Sequence, residues 1–346
     1  MDNPGFRVNC EAPAMQPYRI IGIESSPYAV KVRAVMRYRH IPYVWVARMP
    51  QFHAETLAVR PLIMPVVQYP DGAYRTDSTP IIVELEHRHP HARSIVPDAP
   101  GDAFLSALIE DMADEWLTKS LFHYRFSRER DAVSGAAWVM DDAHPDLSPA
   151  ELDALTGEFI ARQTSRMPLV GCTPSNAPLL ERYYREVLEV LERFVATDRF
   201  LFGSRPALAD FAIYGQLKTL AADPTPRDMM RKIAPRTAHW VLRLDDASGV
   251  DGAWSRDFTE ALKGLLDLAG RFYLPFLAAN RHALDTGADR VTLEIDGQPY
   301  AQAANRYQAK CYGALLSGYA ALDERARERI DPLLHDSGCI AFLARP

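Results

Sequence analysis

Two serines stand where a helix is about to begin. In Glu24-Ser25-Ser26-Pro27-Tyr28, a short β-branched run from Tyr18 to Ile23 ends, and a proline opens a segment with helical apolar spacing at Val30, Val32, Val35 and Met36. Proline suits the first position of a helix and serine the cap before it, so Ser26 reads as an N-cap. Free N–H groups and the positive end of the helix dipole converge there and stabilise an anion. A thiol held at that point ionises more easily, and a serine hydroxyl can donate a hydrogen bond to the thiolate. Plain capping is the commoner job of such a serine, and Ser25 is the near neighbour that could carry the thiolate role instead. Asp77-Ser78, ahead of Thr79-Pro80 and the apolar positions Ile81, Ile82 and Leu85, opens a second helix in the same way. Capping alone accounts for the pair.

Further along, Asp111, Asp114, Glu115 and Trp116 precede His123-Tyr124-Arg125 on one long helical pattern. Asp111 and Glu115 are spaced to share a face. Paired acids on an amphipathic helix are usually a solvated face, so a functional role there is the minority reading. His87, His89, His91 and His123 show no metal-ligand spacing, and no CxxC occurs, so no metal is expected. Ser26 has no GxSxG around it, which argues against a nucleophilic serine of a hydrolase.

The elements that must position these groups run in a clear order. Tyr18 to Ile23 and Ile41 to Val46 read as strands either side of the first helix, whose Lys31, Arg33, Arg37 and Arg39 are expected to face outward. Met64 to Tyr69 and Ala73 to Thr76 flank Asp71-Gly72, a hairpin signal, and Pro65 at a strand opening is a candidate for a cis peptide bond. The pattern is β-α-β, then β-β-α. After a Pro-rich linker the chain turns helical: Phe104 to Phe126, Pro149 to about Ser165, Leu179 to Thr197, Pro206 to Leu220, one helix from Arg227 to Asp245, and Phe258 to Leu284 kinked or divided at Pro275. Residues 127–149 read as irregular. Val291 to Ile295 and Gln298 to Ala301 about Asp296-Gly297 read as an isolated hairpin, followed by one helix from about Ala303 to Arg329.

Composition sets the bounds. With 346 residues, 24% of them charged and 48% hydrophobic, the chain has ample material for two domains. A net charge of −6 argues against a nucleic-acid or anionic-membrane surface. No apolar run is long enough to span a bilayer, and the first residues carry no signal-peptide core, so a cytoplasmic location is expected. Cys10, Cys172, Cys311 and Cys339 are scattered, as reduced, non-catalytic thiols would be.

Ser-Pro-Tyr at the first helix, Pro65 at the third strand, Asp77-Ser78 at the last helix of the unit, and Ala207-Leu-Ala-Asp210 after Gly203 together resemble the glutathione transferase family, most nearly its serine-type tau, zeta and omega-like classes. The resemblance implies an α+β chain: a tail over 1–17, a thioredoxin-like glutathione-binding domain over 18–95, a linker over 96–102, a helical domain over 103–284, and a hairpin-plus-helix extension over 285–346. It implies glutathione as co-substrate, with Ser26 catalytic and Ser26, Tyr28, Met64, Pro65, Asp77 and Ser78 binding it. Asp111, Glu115, Trp116 and His123 would lie at the pocket for a small electrophile, and the chain would be a homodimer. Omega-like members carry Cys where this chain has Ser26, so thiol-disulfide chemistry is disfavoured.

There are departures. The lysine that usually accompanies the cis-proline approach is missing, leaving Arg48, Gln51 or His53 for the glycine carboxylate. Ala207 stands where a capping hydroxyl is expected, and Ser204 is a possible replacement. The extension is foreign to a typical member and would either lid the pocket or enlarge a subunit interface. The alternative is a non-catalytic binding or assembly module on the same fold.

Overall fold

The computed structural model describes residues 16–90, 93–195 and 198–344. Nearly all of the expected tail, with Cys10, His91 and the helix end at Thr197, lies outside them. The first unit comprises β1 (Tyr18–Gly22), α1 (Pro27–Tyr38), β2 (Tyr43–Ala47), β3 (Val66–Gln68), β4 (Tyr74–Thr76) and α2 (Ser78–Arg88). Its sheet has the order β2-β1-β3-β4, with β1 parallel to β2 and antiparallel to β3, which pairs antiparallel with β4. This is a thioredoxin-like sheet. Ile20, Ile21, Val66 and Val67 are fully buried, as the uninterrupted apolar runs require of central strands. The β3–β4 turn closes at Gly72, with φ at +84°, and the Ala73 N–H donates to Asp71 Oδ1 at 2.9 Å.

The helical region follows. Helices α3 (Pro100–Met112) and α4 (Thr118–Ser127) form one rod through a wider π-helical turn, Ala113–Leu117. Then come α5 (Glu129–Ala143), α6 (Pro149–Arg166), α7 (Ala177–Val195), α8 (Leu208–Leu220), α9 (Pro224–Ile233), α10 (Pro235–Asp245), α11 (Glu260–Leu268) and α12 (Leu274–Asp285). The hairpin β5 (Arg290–Ile295) and β6 (Gln298–Ala303) leads to α13 (Arg306–Ala320), α14 (Glu324–Asp336) and α15 (Ile340–Leu343). Among the described residues no helix is long and apolar enough to cross a membrane. Cys172, Cys311 and Cys339 are free thiols.

Four expectations are corrected. Residues 129–143 are helical rather than irregular: Ala132, Ala136, Val139, Met140 and Ala143 form its buried stripe, and so much alanine gives only a weak hydrophobic period. The stretch expected as one helix from Arg227 to Asp245 is two, because Pro235 lacks the N–H that would continue α9 and instead opens α10. The last long helix is also two, with Asp323 capping α14 by accepting from the Ala326 N–H at 2.7 Å. Finally, Lys31, Arg33 and Arg39 are buried, and Arg37 is only half-buried. Helix α1 has no solvated face because α8 packs against it: a Cβ on Gly215 would stand 2.4 Å from the Pro27 carbonyl oxygen. Each buried cation meets carboxylates, Lys31 with Glu110 and Asp114, Arg33 with Glu24 and Asp245, and Arg39 with Glu86.

Two other expectations were met, and one was not. The division near Pro275 is present, in the first turn of α12. The hairpin forms its own sheet but docks on the helical core, with the Tyr300 ring 5.4 Å from that of Trp116 and edge-on to that of Phe276 at 5.8 Å. At the start of α8, Ser204 is not the replacement cap, since its hydroxyl accepts from the Ala253 N–H. The Asp210 carboxylate takes the N–H groups of Ala207 at 2.8 Å and Leu201 at 3.0 Å, supplying half of a capping box from within the helix.

Candidate functional site

Ser26 caps α1. Its Oγ accepts from the Ala29 N–H at 3.3 Å, which leaves the hydroxyl proton free to donate. Ser25 is buried with its Oγ unpartnered, and its carbonyl accepts from Arg125 Nη1 at 3.3 Å. The Tyr28 hydroxyl donates to the Asp114 carbonyl at 2.9 Å and meets Thr118 Oγ1 at 3.2 Å, tying the start of α1 to the rod. Met64–Pro65 is a cis peptide bond leading into β3, as is Arg60–Pro61 before it. Asp77 has φ at +74° and makes no capping bond with its side chain; its Oδ2 accepts from the Tyr307 hydroxyl at 3.0 Å. Ser78 is buried at the first turn of α2.

One cavity of about 650 Å³ brings these groups together. Ser25, Ser26, Tyr28, Met64, Asp77 and Ser78 line one side of it. Leu121, Phe122 and Phe126 of α4, with Val139 of α5 and Phe159 of α6, line an apolar part. Helix α13 contributes Tyr307, Lys310, Cys311 and Ala314, so the extension is part of the cavity wall. Of the expected glutathione-binding residues, Pro65 is not in the wall.

The rod supplies an acidic strip. Asp111 and Glu115 both line the cavity, and neither sits on a solvated face. Asp111 accepts from the Tyr273 hydroxyl at 2.7 Å, and burial pushes its carboxyl up to about 8. Burial also raises the Glu115 carboxyl, which accepts from Gln308 Nε2 at 3.2 Å. Glu110 and Asp114 line the cavity as well, and Lys31 Nζ stands 2.8 Å from the first and 2.5 Å from the second. Those two carboxylates hold the Lys31 ammonium firmly charged despite its burial.

Two pocket expectations are corrected. Trp116, which follows the cavity-lining Glu115 in the π-helical turn, is not part of the cavity wall. It packs instead among Tyr183, Tyr273, Phe276 and Tyr300. His123 likewise faces α7, with Nε2 3.0 Å from Glu181 Oε1. Of the three candidates for the glycine carboxylate, Gln51 lines the cavity. Arg48 pairs with Asp146 at 2.7 Å and His53 with Glu55 at 3.3 Å. Among the described residues no group of His, Cys, Asp and Glu is placed to hold a metal ion.

Sequence reasoning missed Lys31, the phenylalanines and the α13 residues. An alternation of Val30, Lys31 and Val32 inside an apolar helix was the available signal for a buried cation. For Tyr307 no local signal exists, since its partner is 230 residues away.

The site can therefore stabilise an anion at Ser26, bind an amino-acid zwitterion at Asp77-Ser78, and seat an apolar group nearby. No curated protein sequence matches the chain. Among solved structures it is similar to a glutathione S-transferase of Methylobacterium radiotolerans JCM 2831 in complex with glutathione sulfonate, at 22% identity over 70% of this chain and 98% of that one, with a TM-score of 0.45. It is similar to the beta-etherase LigF of Sphingobium sp. strain SYK-6, at 16% identity over 66% and 95%, with a TM-score of 0.48. The tau class glutathione S-transferase of mango, Mangifera indica, gives 14% identity over 67% and 89%, with a TM-score of 0.42. A family model described as glutathione S-transferase, N-terminal domain, matches residues 20–93, the span that holds Ser26, Met64, Pro65, Asp77 and Ser78. Over residues 20–93 the chain is thus similar to the glutathione S-transferase N-terminal domain.

Proposed function

We propose that this chain binds glutathione, activates its thiol as a thiolate beside Ser26, and adds it to a small hydrophobic electrophile by conjugation or by displacement of a leaving group. The observation that carries the reading is the single cavity in which a capped helix N-terminus, an acid–serine pair and an apolar wall meet. Ser26 donates to the sulfur while the α1 amides and dipole favour its negative charge. Asp77 takes the γ-glutamyl ammonium, and Ser78 with the first amides of α2 takes the neighbouring carboxylate. Met64 offers its backbone to the cysteinyl moiety, Tyr28 holds the start of α1 against the rod, and Gln51 reaches the glycine end. Phe122, Phe126 and Phe159 receive the electrophile, with Asp111 and Glu115 at its polar edge. A cytoplasmic homodimer belongs to the same proposal.

A second reading, a binding or assembly module without catalysis, draws support from the C-terminal extension, whose α13 builds part of the cavity wall. Calorimetry of glutathione on wild type and on Asp77→Ala near neutral pH separates the two from a site that binds no glutathione. Binding that Asp77→Ala abolishes supports the thiol site. No binding by wild type at millimolar glutathione refutes the enzyme reading.

A further inference from the structure

The first turn of α13 faces the start of α2 across the cavity. Asn305 holds it there: its side chain accepts from the N–H groups of Tyr307 at 2.9 Å and Gln308 at 3.3 Å. The Asn305 backbone in turn exchanges two hydrogen bonds of 2.8 Å with the Asn280 side chain on α12. Tyr307 and Lys310 are three residues apart and share a face, and both line the cavity. The Tyr307 hydroxyl reaches Asp77 Oδ2 at 3.0 Å, and Lys310 stands exposed on the same wall.

We propose that the C-terminal extension completes recognition of the γ-glutamyl end of glutathione, with Tyr307 positioning Asp77 for the ammonium and Lys310 meeting the α-carboxylate. The proposal rests on the reading of the cavity as a glutathione site. A carboxylate offers about four lone-pair positions, so the single bond from Tyr307 fixes Asp77 while leaving Oδ1 open to an ammonium. Asp77, with φ at +74°, makes no capping bond to its own helix, so the bond from Tyr307 is what holds its side chain. The ligand's carboxylate carries a full charge, and helix amides with Ser78 supply only partial ones; Lys310 supplies the balancing charge. Tyr307 is 46% exposed, so its bond to Asp77 stands partly in water. It gains strength when ligand excludes that water, so the effect is read in affinity and not in folding.

The test uses the full chain and two probes: glutathione, and cysteinylglycine, which lacks the γ-glutamyl group. Tyr307→Phe and Lys310→Gln should each weaken glutathione binding by about tenfold, as loss of one charge-assisted bond does. Lys310→Arg should restore most of it. Melting temperatures and cysteinylglycine binding should match wild type throughout. Glutathione affinity unchanged in both variants overturns the proposal, as does an equal loss for cysteinylglycine. Tighter binding by Tyr307→Phe overturns it too, marking Tyr307 as a plug. Failure of the underlying reading looks different, because then wild type itself binds no glutathione.

Discussion

Lys31 is the sharpest test of how the two lobes are joined under the cavity. Its side chain is 1% exposed, and those of Glu110 and Asp114 are 5% and 10% exposed. Lys31→Met removes the cation and leaves two carboxylates buried against an apolar methyl. Breaking a buried pair in this way costs about 3–5 kcal/mol, chiefly as the penalty of the orphaned charge. A chain of 346 residues loses roughly 0.7 kcal/mol per degree near its midpoint when it melts as one unit, so Tm should fall by about 4–7 °C. Calorimetric melting at neutral pH measures it. The cause is isolated by a triple variant, Lys31→Met with Glu110→Gln and Asp114→Asn, which removes the orphaned charges along with the cation and should regain at least half of the loss. Glutathione binding should suffer in the single variant as well, because the uncompensated carboxylates line the cavity. A melting temperature unchanged in Lys31→Met, or a triple variant no more stable than the single one, would refute the reasoning.

Two further outcomes follow from the site. Ser26→Ala should cost about 1 kcal/mol of stability as a lost cap. It should also lower kcat/KM toward a model aryl halide by about 10²–10³, with glutathione affinity near wild type and the pH–rate profile moved upward; an unchanged profile would remove Ser26 from the chemistry. Asp111→Asn tests burial of the acidic strip. Its carboxyl is raised in the fold from an ordinary 3.8 to about 8, so the native state holds this proton more tightly than the unfolded chain does. The stabilising contribution is therefore present at low pH and is lost as pH rises through that window. The asparagine variant should gain on wild type in urea midpoint between about pH 4 and pH 8, and a difference constant with pH would contradict the burial argument.

Much of the first unit was legible because its signals are local. Ser26-Pro27 announces a capped helix, Asp71-Gly72 a hairpin, and the β-branched run from Tyr18 a buried strand, each decided within a few residues. The ordering of these elements with Pro65 and Asp77-Ser78 was enough to suggest the fold and one side of the cavity. The helices that were misjudged failed for local reasons too: alanine gives α5 little contrast, and Pro235 and Asp323 are stop and start signals set inside otherwise continuous patterns.

What the chain alone determined, then, is the set of elements whose backbone needs are met by their own neighbours. The tertiary structure decided which polar groups left the solvent. Lys31 looks like a surface lysine until α8 and the rod close over α1, and only then do Glu110 and Asp114 become its partners. Asp111 and Glu115 look like a solvated pair until α13 covers them. Trp116 and His123 share the rod with the cavity-facing acids, and only packing against the hairpin and α7 turns them from the pocket. The contact between Tyr307 and Asp77 spans 230 residues, and no local pattern encodes it. Such pairings depend on how whole layers stack, because the free energy of a charge or hydroxyl is set by what surrounds it and not by its place in the sequence.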